Sequence, residues 1–130
     1  YAAARIKKGL QKKIKLGNIN AIRDWGHAQD YVEAMWLILQ QDNPDDYVIG
    51  TGIGHSVENF AKKAFDVVGL NYKDYLNIDS NLLRPTEVDN LLANYSKAKN
   101  VLKWKPKVSF DNLITEMVES DLKFITDSKN

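Results

Sequence analysis

Arg23-Asp24-Trp25-Gly26-His27-Ala28 runs without a break into Gln29-Asp30-Tyr31-Val32-Glu33-Ala34-Met35-Trp36-Leu37-Ile38-Leu39-Gln40-Gln41, and the reading of this stretch decides the fold. Its first five residues bring a guanidinium, a carboxylate, an indole and an imidazole together on a short polar segment. The remainder predicts a helix over 28–41 whose apolar residues cover most of its circumference. A surface helix keeps one polar face, so this one is expected to be buried on more than one side, against a layer missing from these 130 residues. Just upstream, Lys13-Ile14-Lys15-Leu16 alternates polar and apolar, as a strand with one buried face does, and Gly17-Asn18 turns the chain.

Downstream, Tyr47-Val48-Ile49 predicts a short strand, followed by the glycine loop Gly50-Thr51-Gly52-Ile53-Gly54. Ser56 is placed to cap a helix bearing Val57, Phe60, Ala61, Ala64, Phe65 and Val68 at i, i+3, i+4 spacing, which Gly69 closes. Tyr75–Ile78 predicts another strand, and Arg84-Pro85-Thr86-Glu87 a turn, because the residue before proline is pushed out of helical geometry. A short helix is expected from a Ser96 cap to Trp104, stopped by Pro106. A final amphipathic helix follows Ser109, with Phe110, Leu113, Ile114, Met117, Val118, Leu122 and Ile125 on its face. The N-terminal residues to about Gln11 read as the tail of a helix. The class is mixed α/β, helix-rich with short strands.

Bulk properties narrow the function. Eighteen basic and seventeen acidic residues leave a net charge of +1, which gives no reason to expect a nucleic-acid groove or an anionic membrane surface. Cysteine is absent, so disulfides, thiolate catalysis and cysteine-based zinc sites are excluded. That suits a reducing, cytoplasmic setting. No apolar run approaches the roughly 18 residues that span a bilayer. The chain opens on Tyr1, mid-helix and without an initiator Met, and is expected to be a piece of something longer.

Each candidate motif has a plain alternative. The glycine loop sits where a phosphate-cradling loop would, but His55 stands where the third glycine of a dinucleotide fingerprint belongs, and a turn explains the same residues. Tyr95-Ser96-Lys97-Ala98-Lys99 matches the Tyr-x-x-x-Lys acid/base pair of short-chain dehydrogenases, yet lies too near the C-terminus and is rejected as catalytic. The Arg23–His27 cluster reads either as a polar strand end, with Trp25 in the core and Arg23 paired to an acid, or as a site. His27 and His55 are the only histidines, and no ligand spacing supports a metal. Arg84 and Glu87 read by default as a surface pair, although Arg23 and Arg84 on separate loops suit a bidentate diphosphate clamp.

The string Leu16-Gly17-Asn18, Arg23-Asp24-Trp25-Gly26-His27-Ala28, Asp30–Trp36 with Gln40-Gln41 resembles the GDP-mannose 4,6-dehydratase family. So do Tyr47-Val48-Ile49 with Thr51-Gly52, Arg84-Pro85-Thr86-Glu87-Val88-Asp89, Ser96-Lys97-Ala98-Lys99 and Trp104-Lys105-Pro106-Lys107-Val108-Ser109-Phe110. The resemblance covers essentially the whole chain, in order. It implies the C-terminal substrate-binding part of an extended Rossmann-type enzyme, with residues 1–130 forming the nucleotide-sugar-binding region and about 28–69 including elements that in relatives pack on the Rossmann domain.

The implied activity is conversion of GDP-mannose to GDP-4-keto-6-deoxy-mannose with NADP, a lyase step toward GDP-fucose and other deoxyhexoses. The resemblance further implies that Arg23 binds the nucleotide end of the substrate and that Arg84 and Glu87 contact diphosphate and ribose. No catalytic, cofactor-binding or metal-binding residue is assigned within 1–130. Those residues, with NADP, belong to an N-terminal Rossmann half that is the expected partner, in a homo-oligomeric parent. Tyr95 stands where relatives usually carry Pro and Lys103 where they often carry Gly, which reads as surface drift. Two rival readings are a related nucleotide-sugar epimerase or reductase, and a stand-alone, non-catalytic GDP-sugar-binding module.

Overall fold

The computed structural model describes residues 1–84 and 86–127. In chain order it holds α1 (Ala2–Lys7), β1 (Ile14–Leu16), β2 (Ile22–Asp24), α2 (Ala28–Leu39), β3 (Gly54–Ser56) and α3 (Val57–Val67). After these come β4 (Leu76–Ile78), β5 (Asn90–Leu91), α4 (Ser96–Val101) and α5 (Phe110–Asp127), with single 3₁₀ turns at Tyr72–Asp74 and Ser80–Leu82. The chain forms two compact units. One comprises Tyr1–Ala21, Ser56–Asp89 and the chain from Ile114; the other comprises Ile22–His55 and Asn90–Leu113.

In the first unit β1 and β4 run parallel, in the register Ile14↔Leu76, Lys15↔Asn77, Leu16↔Ile78. Helix α3 starts where the Ser56 hydroxyl accepts the Asn59 N–H at 3.0 Å, satisfying one of the N–H groups that a helix start leaves unpaired. It ends at Gly69, whose φ of +69° suits a residue without Cβ. Between these signals its expected face turns inward: Ala61 and Phe65 are buried, Val68 with them, and Phe65 stacks on Tyr75 with ring centroids 5.7 Å apart. The Tyr72 hydroxyl donates to Glu58 at 2.7 Å. Ala3, Ala4 and Ile6 of α1, Ala21, Tyr72, and Ile114, Val118 and Ile125 of α5 are buried as well, whereas Met117 on the same predicted face remains about half exposed.

In the second unit the strand order is β3-β2-β5, and β2 pairs parallel with β5 through Ile22↔Asn90 and Arg23↔Leu91. Ala34, Ala98, Leu102 and Trp104 form its core, with Tyr31, Leu37, Ile38, Tyr47, Ile49 and Tyr95 packed around them.

Several expectations are corrected. Tyr47-Val48-Ile49 forms no strand; it packs on the core as a segment without ladder partners, and the local strand is β3 instead. Helix α2 ends at Leu39 and buries Asp30 and Ala34, while Val32, Met35, Trp36 and Leu39 are 60–80% exposed. Among the described residues α2 is thus covered on one side, and its outer apolar face is exposed, as expected of a helix whose second contact layer is not within 1–130. Helix α4 ends at Val101, not Trp104, and Ser96 does not cap it. Tyr95 stands at the N-cap without a side-chain bond, and just before it the Asn94 side-chain oxygen accepts the Ser96 N–H at 3.1 Å. Exposed Lys103 has a φ of 56°, a left-handed backbone that residues with a Cβ seldom adopt. Tyr95 is not a bare surface residue, since its ring packs on the core and meets Trp104 edge-on at 5.7 Å. Pro85, on which the expected turn depends, lies outside the described residues.

Candidate functional site

Four consecutive residues after Arg23 each carry a distinct packing task. The Asp24 carboxylate accepts the Thr51 hydroxyl at 2.5 Å, the Thr51 N–H at 2.9 Å, the Gly52 N–H at 2.8 Å and the Ala93 N–H at 3.3 Å. Burial raises the carboxyl's pKa, but these donors, the Thr51 hydroxyl foremost, outweigh it and hold the group below the ordinary aspartate value. Trp25 stacks on Phe110 at 5.8 Å, and Phe110 lies flat against the His55 imidazole at 3.7 Å. Gly26 is required because a Cβ there would strike the Tyr31 phenol. The His27 imidazole caps α2, its Nδ1 accepting the Gln29 N–H at 3.1 Å.

Asp30, in the first turn of α2, does the same work as Asp24 further along the chain. It is 3% exposed. One carboxylate oxygen accepts the N–H groups of Lys107 at 2.9 Å and Val108 at 3.0 Å, and its main-chain carbonyl accepts the Trp104 indole N–H at 2.9 Å. A buried charge is tolerated only when hydrogen-bonded in this way. The segment 104–108 is thereby fixed on α2, and Lys107 adds an ion pair to Glu33 at 2.5 Å. Tyr31, between the two carboxylates, has its pKa raised by burial first and then by the charges of Asp24 and Asp30.

Arg23 is half-buried on β2, and its Nη1 donates to the Ile22 carbonyl at 2.7 Å. It borders a cleft of about 390 Å³ shared with Asp24, Tyr31, Gly50, Leu91 and Ala93. Of the expected site residues, Arg23 thus lies in the second unit, while exposed Arg84 and half-buried Glu87 lie in the first, on the segment leading toward β5. Gly50-to-Gly54 is a poor phosphate cradle, because the N–H groups of Thr51 and Gly52 are already given to Asp24. Those two N–H groups are therefore not available to a phosphate, which favours the plain-turn alternative for this loop. Sequence reading saw Asp24 and Asp30 only as members of polar stretches. The usable signal for Asp30 was an acid in the first turn of an otherwise apolar helix.

A family model described as "GDP-mannose 4,6 dehydratase" matches residues 1–117. The chain belongs to the GDP-mannose 4,6-dehydratase family. Within that family, GDP-mannose 4,6 dehydratase 2 of Arabidopsis thaliana is 59% identical over 121 residues, covering 93% of this chain and 32% of its own length. The Homo sapiens GDP-mannose 4,6 dehydratase is 42% identical over 146 residues, covering 99% of this chain and 39% of its own. The chain therefore spans about a third of the length of the curated family members it matches.

Among solved structures, that of RMD from Pseudomonas aeruginosa, complexed with NADPH, superposes with a TM-score of 0.84 at 18% identity, covering 94% of this chain and 40% of that one. UDP-glucose 4-epimerase from Thermotoga maritima, solved with UDP-glucose, gives a TM-score of 0.79 at 26% identity over 95% of this chain and 38% of the other. These are extended Rossmann-type enzymes, and the mixed α/β class with short strands agrees with them. Both structures share the fold of this chain. No helix among the described residues is long and apolar enough to cross a membrane.

Proposed function

We propose that this chain is the nucleotide-sugar-binding region of a GDP-mannose 4,6-dehydratase, a lyase that converts GDP-mannose to GDP-4-keto-6-deoxy-mannose. The observation that carries the reading is the family match along residues 1–117. Arg23, Arg84 and Glu87 are the proposed substrate contacts. A planar guanidinium can take two phosphate oxygens at once, and Arg23 borders a cleft wide enough for part of a nucleotide. The loop donors that a pyrophosphate would need are committed to Asp24. NADP is therefore assigned to a Rossmann half lying outside residues 1–130, together with the acid/base residues, and no chemical step is assigned to this chain. Elements within about 28–69 are proposed to pack on that half, and the exposed Val32, Met35, Trp36 and Leu39 of α2 support this. The parent enzyme is proposed to be cytoplasmic and homo-oligomeric.

The test is to replace the matching segment of the Arabidopsis thaliana relative with this chain and assay NADP-dependent loss of GDP-mannose. Formation of the 4-keto-6-deoxy product is expected, with competition by GDP stronger than by UDP or dTDP. A folded chimaera that yields no product, or one that UDP inhibits as well as GDP, overturns the reading.

A further inference from the structure

We propose that Asp24 is the positioning residue of the ligand-gripping strand, holding the Arg23 guanidinium in place through the backbone of residues 51, 52 and 93. The inference rests on the reading of Arg23 as a nucleotide-sugar contact. Strands β2 and β5 share two register pairs, Ile22↔Asn90 and Arg23↔Leu91. On its other edge β2 neighbours β3, so the short ladder to β5 is the side that needs a further tie. The Asp24 carboxylate takes over where the ladder stops. It accepts the N–H of Ala93, two residues past Leu91, at 3.3 Å, and the N–H of Gly52 at 2.8 Å from the opposite connection. With the Thr51 N–H and hydroxyl added, four protein donors converge on one carboxylate.

A carboxylate has about four lone-pair sites, so Asp24 has none left for a ligand. Its effect on binding must pass through the strand it anchors, and the neighbouring side chain on that strand is Arg23. Arg23 and Asp24 border the same cleft, so a slackened β2 would move the guanidinium relative to the cleft wall. Gly50 stands close by: a Cβ on it would strike the Ala93 Cβ and lie 3.0 Å from the Asp24 carboxylate.

A double-mutant cycle read by calorimetry with GDP on the 130-residue chain tests this. Asp24→Asn keeps the size of the side chain but turns an amide toward N–H donors. It is expected to weaken GDP binding about tenfold with Arg23 present, and less than about twofold in the Arg23→Ala background. Amide exchange at Gly52 and Ala93 should quicken in parallel. Thr51→Val, which removes one donor only, should show the same non-additivity at smaller size and serves if Asp24→Asn does not fold. An equal loss in both backgrounds, or none in either, overturns the positioning role alone. If the parent chain does not bind GDP, or Arg23→Ala binds it as well as the parent, the reading of Arg23 falls and the positioning role falls with it.

Discussion

The Thr51 hydroxyl donates to the Asp24 carboxylate at 2.5 Å, across 27 residues of chain. This bond, with the N–H donors beside it, turns a glycine-rich stretch that resembles a phosphate cradle into a structural clasp.

Its pH dependence has a definite sign. Asp24 titrates below the ordinary aspartate value in the folded chain, so its contribution to stability is full above the unfolded pKa and is lost as pH falls through the folded one. Acid unfolding should therefore draw on Asp24 below about pH 4. Thr51→Val removes the strongest of the interactions that lower this pKa. It should shift the acid midpoint upward and cost about 1 kcal/mol at neutral pH, as measured by circular dichroism against pH and by urea melts.

Removing the Asp30 carboxylate strands the N–H groups of Lys107 and Val108. Asp30→Ala should cost about 2–3 kcal/mol, and Asp30→Asn, which retains an acceptor, less. Near-ultraviolet circular dichroism should report the loss at Trp104, whose indole donates to the Asp30 carbonyl.

Lys103 holds a φ of 56° with no glycine to relieve it, while its ammonium donates to the Asn100 carbonyl at 2.7 Å. Lys103→Gly should stabilise the chain, by up to about 1 kcal/mol, because the left-handed conformation penalises a Cβ. Thermal melts of the two chains decide it.

Arg23→Ala and Arg84→Ala should each lower GDP-mannose affinity by about 1.5–3 kcal/mol, the cost of a charge-assisted contact. Isothermal calorimetry at fixed ionic strength is the check. Unchanged affinity in both removes the assigned contacts.

The outer face of α2 presents Val32, Met35, Trp36 and Leu39, the last 80% exposed. An apolar stripe of this kind marks an interaction surface. The isolated chain should bind a hydrophobic dye and self-associate in sedimentation, and Met35→Lys with Leu39→Lys should reduce both signals.

Much of the second unit was hidden from sequence because its decisive elements are too short to show a period. Two residues of β5 and three of β3 cannot display alternation. Tyr47-Val48-Ile49 has the composition of a strand, but Tyr47 and Ile49 serve the α4–Trp104 core without a ladder partner. Of the Arg-Asp-Trp-Gly-His block, four of the five residues pack, stack or cap, and Arg23 alone keeps the proposed role of a ligand contact.

What the sequence determined by itself was whatever short-range energies write into neighbouring residues. The α3 and α5 helices follow from i, i+3, i+4 spacing. Their Ser56 and Ser109 caps reach N–H groups three residues on, at 3.0 and 3.2 Å. The family is legible because its motif blocks stand in order along the chain. Only the tertiary structure decided the partners of Asp24 and Asp30, which lie 27 to 78 residues away. A carboxylate's hydrogen bonds depend on which distant backbone N–H groups the folded path delivers to it. No local pattern of residue types records that path.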